Sequence, residues 1–187
     1  KMLGAHRVQV GDIVLGLRAS GLHSNGYSLV RKIVADRGLK YTDSVPEFSR
    51  SLGEELLEPT ALYTGVLNKI LENPKFDGQV STLSHITGGG IAANLSRVLP
   101  QTVSLDVDRS TWKPQAVFSV LADIGKHKLT DLEATWNLGI GFAMVVRKSS
   151  ADAIIAKSKS LGNPAWQIGV IESTSFDDKG YVTEAKG

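Results

Sequence analysis

The sequence predicts an α/β fold (α+β in some schemes) in which helices cover a mixed β-sheet. Three observations predict it. Short apolar runs bounded by glycine alternate with longer stretches whose apolar residues recur at helical spacing. The interleaving lacks strict strand–helix–strand regularity, which favours a mixed sheet over a purely parallel one. Val103, Leu105 and Val107 alternate with polar residues, the pattern of a half-buried strand. At 187 residues, 42% of them hydrophobic, the chain fits one domain, 1–187, with a substantial core.

The elements follow in order. Ile13 to Leu17 is a buried strand between glycines. Asn25 or Ser24 can cap the next helix, Gly26 to Arg37, which carries Leu29, Val30, Ile33 and Val34 on one face and stops at Gly38. Tyr41 to Phe48 is a loop. Ser49 to Leu57 is a short helix, and a further helix from Thr60 turns Leu62, Val66, Ile70 and Leu71 inward before Asn73-Pro74. Val80 to Ile86 is a strand, followed by the Gly88-Gly89-Gly90 turn and a helix bearing Ile91, Leu95 and Val98. After the alternating strand, Pro114 opens a helix with Val117, Val120, Leu121 and Ile124 on one face, ended by Gly125. Lys128 to Ala134 is a short helix, Gly139 to Val146 a strand, and Ala151 to Leu161 a helix. Trp166 to Ile171 is a strand and Tyr181 to Thr183 a last edge strand.

Composition excludes several classes of function. A net charge of +2 with scattered Lys and Arg gives no electrostatic footprint for nucleic acid. No apolar run approaches the roughly 20 residues that span a bilayer, and no signal peptide opens the chain. The absence of cysteine removes disulfides, thiolate nucleophiles and Cys-ligated zinc, and suits the cytoplasm. Asp106 with Asp108, and Asp177 with Asp178, lack the ligand count of a cation site. Lys1 precedes Met2, and a strand follows a turn almost at once, so the chain reads as part of a longer protein.

Three constellations carry chemistry. Gly21 to Arg31 runs from a strand through polar residues into a helix, placing His23, Ser24 and Asn25 where open α/β sheets put ligands. His23 is suited to proton transfer near neutral pH. On the plainer alternative, Asn25 caps the helix and His23 satisfies a backbone carbonyl. Thr87-Gly88-Gly89-Gly90 is a second such junction. Successive glycines before a helix form either an anion cradle or a tight packing turn, and the Gly-Lys-Ser/Thr ending of a Walker loop is missing. Gly139 and Gly141, two apart in a strand beside Asn137, leave one strand face bare for a ligand or for close packing. His85 lies beside the glycine turn and reads more readily as a core histidine than as a site residue.

Taken together, these motifs resemble a known family. Ser20-Gly21-Leu22-His23-Ser24-Asn25-Gly26-Tyr27-Ser28-Leu29-Val30-Arg31 is similar to a signature of the phosphoribosylformylglycinamidine cyclo-ligases, or aminoimidazole ribonucleotide synthetases. The likeness continues in order through Leu56-Leu57-Glu58-Pro59-Thr60, His85-Ile86-Thr87-Gly88-Gly89-Gly90, Asn94, Arg97-Val98-Leu99-Pro100, Trp112, Val117-Phe118, Thr135 to Gly141 and Ala165 to Gly169. It spans nearly the whole chain. Departures are Leu22 for the usual Pro, Trp136 for Phe, Phe142 for Met, and Ala134 where Arg is common.

The resemblance implies the three-layer α/β/α C-terminal domain of that superfamily. It further implies the substrate-side half of an ATP-dependent ligase that closes an imidazole ring in purine biosynthesis, in a cytoplasmic homodimer. ATP and Mg²⁺ would be held mainly by an N-terminal half with a Gly-rich nucleotide motif that this chain lacks, so none is expected on this chain and the chain alone would be inactive. The partners implied are that N-terminal half and a small ribonucleotide, with no nucleic acid and no membrane. His23, Ser24 and Asn25 would face the reacting groups. Thr87, Gly88, Gly89 and Gly90 would cradle the 5′-phosphate, Gly26, Asn137, Gly139 and Gly141 would line the cleft, and no residue would ligate metal. Alternatives are a related synthetase or kinase (formylglycinamidine ribonucleotide synthetase, selenophosphate synthetase, thiamine monophosphate kinase, a hydrogenase maturation factor), or a non-catalytic binding module.

Overall fold

The computed structural model describes residues 2–174 and 182–184. In chain order the regular elements are β1 (Ile13–Arg18), α1 (Tyr27–Asp36), β2 (Ser44–Val45), β3 (Arg50–Ser51), α2 (Leu52–Leu56), α3 (Thr64–Leu71), β4 (Val80–His85), α4 (Gly90–Ser96), β5 (Val103–Val107), α5 (Ala116–Gly125), β6 (Ile140–Val146), α6 (Ala151–Ser160), β7 (Ala165–Ser173) and β8 (Val182–Glu184). Six strands form one sheet in the order β4-β6-β1-β7-β5-β8, and β2-β3 is a separate ribbon. Every described pairing in the main sheet is antiparallel except β5 with β8, so the sheet is mixed at that one edge.

Pleating sends alternate residues of β1 to opposite faces. Ile13, Leu15 and Leu17 pack with Val66, Leu67 and Ile70 of α3 and with Ile154 of α6. Val14 faces the other way, with Ile91 and Leu95 of α4 and with Val103, Leu105 and Ile168. Helices therefore cover both faces of the sheet. A further helical core, absent from the expected layering, joins Val30, Ile33 and Val34 of α1 to Val117, Phe118 and Leu121 of α5, and includes Trp136, 6.0 Å from Phe118 between ring centroids.

Several expected boundaries shift for physical reasons. Helix α2 starts at Leu52 because Ser51 and Glu54 close a capping box: Glu54 N–H donates to Ser51 Oγ (3.3 Å) and Ser51 N–H to Glu54 Oε2 (2.8 Å). Helix α3 starts at Thr64, not Thr60, so Leu62 precedes it and stands 84% exposed, while Leu71 is exposed at its far end. Tyr63 takes the inward place instead. The 41–48 segment is not wholly a loop, since it supplies β2 and a 3₁₀ turn, and 129–132 is a 3₁₀ turn rather than a helix. Helix α5 begins after Pro114 and Gln115. The expected turn at 177–180 and Tyr181 lie outside the described residues.

The topology decides where a site can form. β1 and β4 both run antiparallel to β6, which lies between them. Their C-terminal ends and the start of β6 therefore meet at one edge of the molecule. The loops 19–26, 86–89 and 135–139 converge there.

Candidate functional site

The two polar junctions touch. Asn25 Oδ1 accepts the N–H of Gly88 at 3.1 Å, latching the loop after β1 to the bend after β4. Asn25 therefore does not cap α1. The N-cap is Gly26 in the left-handed region (φ 74°), without a side-chain cap. Glycine is required there twice over, because a Cβ would also collide with the Trp136 indole. The enlarged aromatic at 136 thus rests on the bare backbone of residue 26.

His23 is buried at 4% exposure and adopts φ 58°, an uncommon conformation for a residue with a side chain. Its Nε2 accepts the N–H of Ser20 at 3.1 Å, so the plainer alternative fails here as it does at Asn25: the imidazole serves a backbone donor, not a carbonyl. Burial, aided by the nearby charge of His85, holds the His23 pKa down to about 4. The ring is neutral at physiological pH. With Nε2 accepting, its hydrogen sits on Nδ1, which is buried without a partner. His23 is a donor in want of an acceptor, rather than a base poised near pH 7.

Tyr63 was invisible as a site residue in the sequence, and no local signal marked it. Its ring lies 6.1 Å from His23 and 6.1 Å from His85 by centroids, and 5.2 Å from Phe142. Its hydroxyl donates to Arg18 O at 2.9 Å, and burial raises its pKa, so it stays a phenol. His85 is not a core histidine. It is exposed and stacks on Phe142, 5.7 Å between centroids with 22° between planes.

The glycine bend is not an open cradle. Gly88 N–H is spent on Asn25, and Gly90 N–H donates to Thr87 O at 3.1 Å. Gly89 and Gly90 have φ of 99° and 69°, and a Cβ on Gly90 would collide with the Glu133 carbonyl. Asn94, one helical turn into α4, holds the bend together. Its Nδ2 donates to the carbonyls of Thr87 (3.3 Å), Gly88 (3.3 Å) and Gly90 (2.7 Å). Its Oδ1 accepts from Thr87 Oγ1 (3.1 Å) and Arg97 Nη1 (3.2 Å). Its distance from Gly90 along a helix was the signal that could have found it. Ala134 is exposed beside Gly89, in a shallow hollow also bordered by Asp131 and Glu133.

Asn137, Gly139 and Gly141 are buried and do not line a cleft. Asn137 Nδ2 donates to Gly21 O (2.9 Å) while its Oδ1 accepts Gly139 N–H (2.8 Å), stapling the first loop to the start of β6. The bare face at Gly141 is filled by protein: a Cβ there would strike Tyr63 Oη and His23 Cε1. Gly139 is similarly close to Pro114, Gln115 and Trp112.

An open hollow of about 660 Å³ lies at this edge, between the 23–31 segment and the 56–60 segment. Among the described residues, no group of three or more His, Asp or Glu is placed to hold a metal ion. No helix among the described residues is long and apolar enough to cross a membrane.

Residues 9–178 match the family model described as AIR synthase related protein, C-terminal domain. The chain belongs to this family. Over 179 residues it is 42% identical to a Streptomyces fradiae protein provisionally named as a phosphoribosylformylglycinamidine cyclo-ligase, covering 95% of each chain. To the Bacillus subtilis phosphoribosylformylglycinamidine cyclo-ligase it is 37% identical over 173 residues, 92% of this chain and 49% of that one. It thus spans about half the length of that relative. The thiamine-monophosphate kinase structure of Stenotrophomonas maltophilia K279a shares the fold, with a TM-score of 0.60 at 19% identity, covering 97% of this chain and 52% of that one. This AIR synthase related domain is accordingly similar to cyclo-ligases in sequence and shares its fold with the thiamine-monophosphate kinase.

Proposed function

We propose that this domain forms the substrate-side half of a cytoplasmic, homodimeric cyclo-ligase that uses ATP to close the imidazole ring of formylglycinamidine ribonucleotide. ATP and Mg²⁺ are assigned mainly to an N-terminal half, as the family resemblance implies. In that reaction ATP phosphorylates the formyl oxygen, the substrate's own nitrogen attacks the activated carbon, and phosphate leaves. Such chemistry depends on positioning and on neutralising phosphate charge.

The observation that carries this reading is the Asn25–Gly88 latch, which joins two polar strand-to-helix turns of a family-type sequence at one edge. His23, Ser24 and Asn25 face the reacting groups. His23 takes part as a neutral donor through Nδ1. Thr87, Gly88 and Gly90 shape the bend, which leaves the Gly89 amide as its contact to the ribonucleotide.

Steady-state kinetics of the full-length enzyme tests these roles. Gly89→Val, at φ 99° and with its Cβ 3.0 Å from that of Ala93, raises the ribonucleotide KM at least tenfold. An unchanged KM removes the bend from the substrate site. His23→Ala lowers turnover by about 10²-fold, the order lost with one oriented donor; wild-type turnover removes His23 from the reaction.

A further inference from the structure

The hollow between 23–31 and 56–60 has one wall built on α1. Ser28 and Arg31, three residues apart in α1, share the helix face that lines it, and Ser24 lines it from the turn just before the helix. Thr60 stands opposite, its Oγ1 3.5 Å from Ser24 Oγ. The far wall is fixed in place: Ser20 Oγ donates to Pro59 O at 2.6 Å, and the Tyr27 hydroxyl donates to Leu56 O.

The charges are unbalanced. Glu58 on the far wall is paired with Arg50 at 2.9 Å. Arg31 makes no ion pair among the described residues, although the neighbouring Lys32 is paired with Asp36 at 2.8 Å. The ten-residue helix α1 begins at this hollow with no side chain over its first N–H groups. Its N-terminus is therefore a positive end open to an anion. His23 also lines the hollow, is 4% exposed, and holds an Nδ1 with no partner. By contrast, the hollow beside Gly89 is bordered by Asp131 and Glu133.

We infer that the hollow at the start of α1 is a phosphate site, in which Arg31 supplies the counter-charge and Ser24, Ser28 and Thr60 supply hydroxyl donors. This deepens the cyclo-ligase reading and rests on it for the identity of the phosphate. Two sources share that chemistry: the 5′-phosphate of the ribonucleotide, and the phosphoryl group delivered by ATP.

Titration of the isotope-labelled full-length protein with inorganic phosphate, monitored by amide NMR and matched for ionic strength with chloride, tests the site without turnover. Saturable shifts at residues 24–28 and 60 are expected, weakened at least fivefold in Arg31→Gln and unchanged in Lys32→Gln. Ser28→Ala, which leaves every charge in place, weakens binding about twofold to threefold. Shifts confined to other residues, equal shifts with chloride, or full affinity in Arg31→Gln overturn the proposal. Kinetics of Arg31→Gln then separates the sources. A raised ribonucleotide KM places the 5′-phosphate here, a raised ATP KM places the transferred group here, and no change in either overturns a role in the reaction. A wild-type protein that binds phosphate at the hollow but closes no ring refutes the cyclo-ligase reading and leaves the site standing.

Discussion

At the scale of single residues, the site is organised by where side chains are missing. Gly141 is bare so that the rings of His23 and Tyr63 can lie over β6. Gly141→Ala forces them apart and costs about 1–3 kcal/mol in chemical denaturation, the usual cost of overpacking, with loss of the Tyr63–Arg18 hydrogen bond. Residue chemistry also fixes a pH dependence. Folding holds the His23 pKa at about 4, below its ordinary 6.5, so the unfolded chain binds the proton that the native state excludes. This contribution to stability is intact above about pH 6.5 and is lost as pH falls toward 4, by a few kcal/mol in all. Urea titrations between pH 6.5 and 5 are expected to show a downward slope in the wild type that His23→Gln flattens. Equal slopes in the two proteins mean that His23 is accessible to protons. The motif residues were legible in the sequence, but their roles were not. Whether an imidazole faces a donor, an acceptor or water depends on neighbours such as Ser20, Tyr63 and Gly141, which are distant in sequence or look ordinary there.

At the scale of elements, strands and helices were legible wherever periodicity was strong. β5 and the cores of β1, β4, β6 and α6 lie where the apolar pattern placed them. The start of α2 was misplaced because the Ser51 capping box overrode the pattern. The start of α1 shows this most clearly. Asn25 has the chemistry of an N-cap, yet its oxygen is committed to Gly88 in another loop, and Gly26 takes the cap position. Asn25→Ala is expected to leave α1 folded while freeing the bend. Amide exchange at Gly88 then accelerates at least tenfold, with exchange in the body of α1 unchanged. Exchange that stays slow at Gly88 shows that the latch contributes nothing.

At the scale of the whole molecule, apolar clusters pack on both faces of the described sheet, whereas the 56–62 segment beside the hollow exposes Leu57 (80%) and Leu62 (84%). On the proposed division of labour, residues 1–187 alone give no ATP-dependent ring closure, and adding the N-terminal half restores it. Product from residues 1–187 alone, detected by mass spectrometry, sinks that division. By itself the sequence determined the fold class, the order of nearly every element and the family, because apolar periodicity and local motifs are properties of neighbours along the chain. Only the tertiary structure decided that the glycine bend spends two of its three amides internally, that Asn137, Gly139 and Gly141 are buried supports, and that the open hollow lies along α1. Those outcomes depend on β1 and β4 flanking β6, and strand order is set by how distant segments share a core.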